Sequence, residues 1–168
     1  MSDPQNTPSP TKNALVIVAS TRAAKGIYTD RSGPLLVEWL RAQGFNTPDA
    51  VVIADREITA YFAELVQSAE LPTVILTSGG TGLNSDDLTV EAVRPHLDKE
   101  VPGIMHAFWQ TGLESTPAAV LSRGVAGVIG KSFVMTLPGS RNAVKDGCAV
   151  LEPLMVHILR QIEDYHDH

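Results

Sequence analysis

Two stretches of this chain hold the residue types that phosphate chemistry needs. The first is TSGGTGLNSDDLTVEA, residues 77–92, where Gly79, Gly80 and Gly82 precede the acids Asp86 and Asp87. Glycines let a backbone take positive φ and turn its N–H groups toward a ligand. Successive amides in such a turn form an anion nest, and a helix start nearby adds partial positive charge. Neither common phosphate loop is present. No lysine follows the glycines, as G-x-x-x-x-G-K-[ST] requires, and Ser85 stands where G-x-G-x-x-G needs its third glycine. The second stretch is LPGS, residues 137–140, in which Pro138, Gly139 and Ser140 make another strand-to-helix junction. Its N–H groups suit a second anionic group, while Ser140 suits a plain helix cap.

Acids beside a phosphate repel it unless a cation intervenes. A Mg²⁺ ion supplies one, taking one or two carboxylates together with phosphate oxygens. Asp87 is one candidate ligand. Asp55, at the end of an apolar run, is the other, and it serves equally as an N-cap. Asp86 reads as a solvated turn residue. The glycine loop without its acids would read as a tight turn with no ligand.

Elements must gather these residues. ALVIVAS (14–20), AVVIA (50–54) and TVILTS (73–78) are short apolar runs, expected as strands buried on both faces in a parallel sheet. PLLVEWLRAQG (34–44) has proline first and glycine last, the punctuation of a helix, with Leu36, Trp39 and Leu40 on one face. Ile58, Tyr61, Phe62, Leu65, Val66 and Ala69 fall at helical spacing. Thr89 is placed to cap a helix over 90–97, with Glu91 near its positive end. Residues 101–112 predict a short helix. Residues 124–140 predict two strands turning near Gly130, the core strand being 134–137. A helical region over 141–162 must break or kink at Pro153, with Leu151, Leu154, Met155, Ile158 and Ile162 on its apolar face.

Alternating strands and helices predict an α/β fold: a mostly parallel central sheet, helices on both faces, and a small β-hairpin before the last core strand. Ligands of open α/β sheets bind at the carboxyl ends of the strands. Ser20, Asp55, the loop 79–87 and the turn 138–140 all fall there, so one sheet edge would collect four separated stretches.

The 168 residues suffice for one domain burying roughly two-thirds of its unfolded surface. A net charge of −6 with no basic tract argues against nucleic acid and membrane surfaces as partners. No apolar run approaches the ~20 residues of a membrane span. Residues 1–12, with three prolines, are expected as a disordered tail and 13–164 as a single domain. The lone Cys148 excludes an internal disulfide, lies in an apolar pattern as an inert thiol, and fits a cytoplasmic setting. His166 and His168 read as solvated terminal residues rather than metal ligands.

Several motifs together resemble one family. TSGGTGLNSDDLTVEA is similar to the G-G-T-G-x-x-x-x-D-x-T-x-E-A signature of molybdenum-cofactor biosynthesis proteins of the MogA/MoaB type. ASTRAAKGIYTDRSGP (19–34) resembles the family's V-S-x-R-x-x-x-G-x-Y-x-D-x-S-G. LDKEVPGIMHAF (97–108) resembles its D-R-E-[VI]-P-G segment. LSRGVAGVIGKSFVMTLPGSRNAVKDG (121–147) resembles its S-R-x-x-x-G-V and L-P-G-S/N segments. The likeness spans about residues 14–160 in the family's order.

The resemblance implies a three-layer α/β fold, a homotrimer or higher closed oligomer, and a nucleotidyltransferase. Such enzymes adenylylate molybdopterin: its terminal phosphate attacks the α-phosphate of ATP, with Mg²⁺, and pyrophosphate leaves. Carried over residue by residue, Asp55 and Asp87 are the catalytic and metal-holding acids. Ser20, Ser78, Gly79, Gly80, Thr81, Gly82, Pro138, Gly139 and Ser140 hold substrate. Arg22 and Asp30 match the first-loop pattern. The chain departs from the family at Thr21, where many members carry aspartate, and at Ala54 and Val90, where proline is frequent. The alternative is a non-catalytic MoaB-like pterin-binding or assembly protein on the same scaffold, docking with other proteins of the pathway; residues 121–132 lean toward that branch.

Overall fold

A computed structural model of the chain describes residues 11–163. Six strands form one sheet in the order β2-β1-β3-β6-β5-β4. These are β1 (Ala14–Ala19), β2 (Val51–Ile53), β3 (Val74–Ser78), β4 (Lys99–Glu100), β5 (Ala126–Ile129) and β6 (Ser132–Leu137). β2, β1, β3 and β6 run parallel, with Val18 beside both Val52 and Ser78, and Ser78 beside Leu137. β5 and β4 add antiparallel at the far edge. The expected hairpin is β5–β6, turning at Gly130 with φ +56°, and its second arm is itself the last core strand.

Side chains of β1 alternate between two cores. Val16 and Val18 face α2 (Ser32–Ala42), α5 (Pro102–Leu113), α6 (Arg141–Leu151) and α7 (Met155–Ile162), through Leu36, Leu40, Phe108, Leu151 and Met155. Leu15 and Ile17 face α3 (Ile58–Leu65) and α4 (Thr89–Val93), through Ile58, Phe62, Val90 and Val93. This is the three-layer arrangement that the resemblance implies. Each fully buried Leu, Ile or Phe contributes roughly 1.5–3 kcal/mol. The short α1 (Thr21–Ala24) buries nothing and begins at Ser20, whose Oγ accepts from Ala23 N at 3.2 Å.

Some expectations need correction. β2 is an edge strand, only half-buried, because no strand covers its outer side. α2 begins at Ser32 rather than 34, because Asp30 accepts from Ser32 N at 3.1 Å and Gly33 N at 3.0 Å and so caps the turn itself. α3 stops at Leu65, leaving Ala69 exposed beyond it. The helix over 90–97 is only α4 and a 3-10 turn, Arg94–His96. Thr89 does not cap it: its N–H donates to Gly80 O at 3.1 Å, and its hydroxyl is buried without a partner. The break at Pro153 separates α6 from α7.

Residues 1–10, His166 and His168 lie outside the described residues. Lys12 is anchored, its carbonyl accepting from Asn46 N at 2.8 Å and its amine pairing with Glu163. No helix of the described residues is long and apolar enough to cross a membrane.

Candidate functional site

The four parallel strands end in four loops at one edge of the sheet. Asp55 follows β2, Ser20 follows β1, the glycine loop follows β3 and the Pro138–Gly139–Ser140 turn follows β6. The loops are tied to one another. Gly79 N donates to Leu137 O at 2.9 Å, and Ser78 Oγ donates to Pro138 O at 3.4 Å. Ser32 Oγ, at the start of α2, donates to Gly139 O at 2.8 Å. Gly79 and Gly80 take φ of +96° and +73°, which side-chain-bearing residues rarely adopt. A side chain on Gly79 would also run into the Ala19 carbonyl, and one on Gly80 into the Thr89 hydroxyl.

A cavity of about 630 Å³ opens beside this edge. Of the expected residues, Gly80, Thr81, Gly82, Asp87, Pro138, Gly139 and Ser140 line it. Ser20, Ser78, Gly79 and Asp55 do not. Ser78 and Gly79 stand behind the lining and join β3 to the 138–140 turn. Ser140 Oγ accepts from Ala143 N at 3.1 Å, so it caps α6 while its backbone borders the cavity.

The two acids differ in setting. Asp87 folds back on its own loop, with Oδ2 accepting from Asn84 N at 2.9 Å. A side chain on Gly82 would come within 2.7 Å of that oxygen, so the glycine leaves room for the carboxylate. Asp55 is not the N-cap; Ala54 is, and Asp55 opens a 3-10 turn, Asp55–Glu57. Asp55 Oδ2 accepts from both Thr21 N and Thr21 Oγ1. Each acid keeps an Oδ1 that accepts nothing from the described residues. No group of three potential ligand side chains gathers among those residues.

No lysine or arginine lines the cavity. Its lining combines glycines and alanines, hydroxyl residues, the apolar Leu83, Phe108 and Leu121, Asn84 and Asn142, and two acids, Asp87 and Asp146.

Residues 15–157 match the model of a family described as a probable molybdopterin binding domain. The chain belongs to this molybdopterin-binding family. A molybdenum cofactor biosynthesis bifunctional protein of Synechococcus elongatus is 40% identical over 146 residues, 87% of this chain and 46% of the relative. The chain thus spans about half the length of that relative. A molybdopterin adenylyltransferase of Pyrococcus furiosus is 36% identical over 155 residues, covering 89% of this chain and 90% of its own. The solved molybdopterin biosynthesis Mog protein of Mycobacterium ulcerans superposes with a TM-score of 0.84 at 39% identity, covering 93% of this chain and 99% of that one. The chain therefore carries a domain of this molybdopterin-binding family.

In this molybdopterin-binding domain Arg123 joins the motifs, a part that its sequence position does not reveal. Its Nε donates to Gly82 O at 2.8 Å and its Nη2 to Asp87 O at 3.2 Å. Its own N–H donates to Thr81 O at 2.9 Å, and its guanidinium pairs with Glu91. The neighbouring Ser122 Oγ donates to Thr81 Oγ1 at 3.0 Å. The S-R pair and the glutamate of T-x-E-A therefore clamp the glycine loop at both ends. Asp30 and Gly33 of the first-loop motif act in the start of α2: Gly33 has no room for a side chain between Val18 and Ala50. Arg22 is exposed, and its carbonyl accepts from Ile27 N at 2.9 Å.

Proposed function

We propose that this chain adenylylates molybdopterin with ATP and Mg²⁺, releasing pyrophosphate. The observation that carries the reading is the pairing of a glycine nest, Gly80–Gly82, with Asp87 in a cavity that has no basic side chain. Such a wall holds phosphate through amides and needs a metal to bring two polyanions together. The relative named an adenylyltransferase, matched over nearly its whole length, supports the same reading.

In this reaction an oxygen of the molybdopterin phosphate attacks the α-phosphorus of ATP, and the bond to the β-phosphate oxygen breaks. No side chain acts as nucleophile. The amides of Gly80–Gly82 and the 138–140 turn hold the anionic groups, and proximity supplies much of the rate. Asp87 and Asp55 would hold Mg²⁺ through their free oxygens. When bound, Mg²⁺ neutralises phosphate charge and steadies the departing pyrophosphate. Arg123 and Glu91 keep the loop that carries Asp87 in place. A homotrimer is proposed with this reading, and a stable monomer in sedimentation would overturn that part.

A second reading is a pterin-binding protein without transferase activity. It draws on Asp55, whose carboxylate is engaged by Thr21 and lies outside the cavity lining. Incubation of the protein with molybdopterin, ATP and Mg²⁺ separates the two. Adenylylated molybdopterin and pyrophosphate are expected. Intact pterin binding with no product would establish the second reading.

A further inference from the structure

Bases are absent from the large cavity but gather beside it. A second hollow, of about 270 Å³, lies between the first turns of α2 and α6 and is lined by Arg31, Arg141 and Lys145. The bond from Ser32 Oγ to Gly139 O draws these segments together, since Arg31 precedes the donor and Arg141 follows the acceptor by two residues. α6 presents Asn142, Ala143 and Asp146 to the large cavity and Arg141 and Lys145 to the hollow. The 138–140 turn and the start of α6 therefore divide the two.

All three bases are exposed, and none pairs with an acid among the described residues. Two acids share the lining. Asp30 spends both carboxylate oxygens on Ser32 N and Gly33 N, and Glu38 stands a turn further along α2. Cations gathered in this way repel one another until an anion joins them. The net charge of −6 argues against nucleic acid, so the anion is a small one. Arginine forks beside a lysine suit phosphate oxygens.

We propose that Arg31, Arg141 and Lys145 hold the β- and γ-phosphates of the nucleotide, and then the pyrophosphate that these become. This rests on the adenylyl-transfer reading. In such a displacement the attacking and leaving oxygens stand on opposite sides of the α-phosphorus. The cavity and the basic hollow flank the 138–140 turn, which sets the α-phosphate over that turn. The molybdopterin phosphate then lies on the cavity side, held by amides, and the more highly charged leaving group lies on the side that carries the bases. Cations there stabilise the charge that grows as the bond to the β-phosphate oxygen breaks.

The test combines Arg31→Gln, Arg141→Gln and Lys145→Gln in one variant. A control carries Lys99→Gln, Lys131→Gln and Arg160→Gln, which remove the same charge from exposed positions outside the hollow. Inorganic pyrophosphate is titrated by calorimetry into each intact chain in EDTA, so that no metal contributes. The wild type and the control are expected to bind it alike, and the triple variant at least about tenfold more weakly. In steady-state assays the triple variant should show a similar rise in KM for ATP, with pterin affinity unchanged. No binding of pyrophosphate by the wild type would overturn the proposal, and so would equal binding by the triple variant. Product formation with an unchanged KM for ATP in that variant would overturn the proposal and leave the adenylyl-transfer reading standing. Pyrophosphate binding by a wild type that forms no adenylylated product would overturn that reading, and the assignment to ATP with it.

Discussion

Thr21 and Asp55 hold each other through three hydrogen bonds. Thr21 N and Oγ1 donate to Asp55 Oδ2 at 2.9 and 2.8 Å, and Asp55 N donates to Thr21 Oγ1 at 3.1 Å. The hydroxyl both gives and receives, so the carboxylate is fixed with one oxygen engaged and one free. Where family members carry aspartate at this position, a second acid would stand in place of that donor. Thr21→Val keeps the backbone bond and loses the other two. We expect turnover to fall about tenfold and the Mg²⁺ concentration for half-maximal rate to rise, as for the loss of a group that orients a metal ligand. Thr21→Ser should restore both. Pyrophosphate release across a Mg²⁺ titration measures them.

Asp87→Asn should reduce adenylyl transfer by about a hundredfold or more while pterin still binds. The turn survives, because an amide oxygen can still accept from Asn84 N. Near-normal turnover in this variant would overturn the proposed role of Asp87 in holding Mg²⁺. Single-turnover assays beside a pterin titration distinguish the two effects.

Arg123 tests the clamp. Arg123→Lys can still meet Glu91, but one amine cannot span the carbonyls of both Gly82 and Asp87. It should lower kcat more than it lowers the melting temperature. Arg123→Ala should in addition cost about 1–3 kcal/mol of stability by leaving those carbonyls unpaired. Chemical denaturation and steady-state kinetics on the same preparations check both.

The partner of Arg123 carries a pH signature. The hydrogen bond from Arg123 holds the Glu91 carboxyl below its ordinary value of 4.5. A depressed folded value favours the folded state above the unfolded pKa, and that contribution disappears as pH falls through the folded one. Half-exposed, the pair is partly screened, so the effect is small. Glu91→Gln should flatten the part of the stability profile below about pH 4.5, as measured by urea unfolding at stepped pH.

Cys148 should be unreactive in the folded chain. Burial, with the Glu152 carboxylate adding to it, pushes its thiol up to about 12. Thiolate is therefore scarce at neutral pH. Iodoacetamide should label the native protein far more slowly than the urea-unfolded one, and mass spectrometry of timed samples reads the difference.

The sheet was legible where apolar runs are continuous. β1 and β3 are buried throughout and stand where their sequences predict. β2 has the same apolar character, yet a run of valines does not say whether a neighbour covers it. β4 carries no signal at all: Lys99 and Glu100 are charged and exposed, and they pair because flanking backbone at Asp98 and Val101 bonds to β5. The glycine loop and Asp87 are local, so their pattern shows on the page. Arg123 reaches Gly82 across 41 residues, and no spacing rule announces that contact. Thr89 followed a capping rule on paper, but its amide is engaged by the Gly80 carbonyl.

The bond from Gly79 N to Leu137 O, with Gly79 Cα 3.6 Å from where a side chain on Gly139 would lie, makes the glycine loop and the 138–140 turn one body. Ser32 extends that body to the start of α2. A site seamed in this way has little left to organise when substrate arrives. The free energy of contact is then available for distinguishing the reacting state from the resting one.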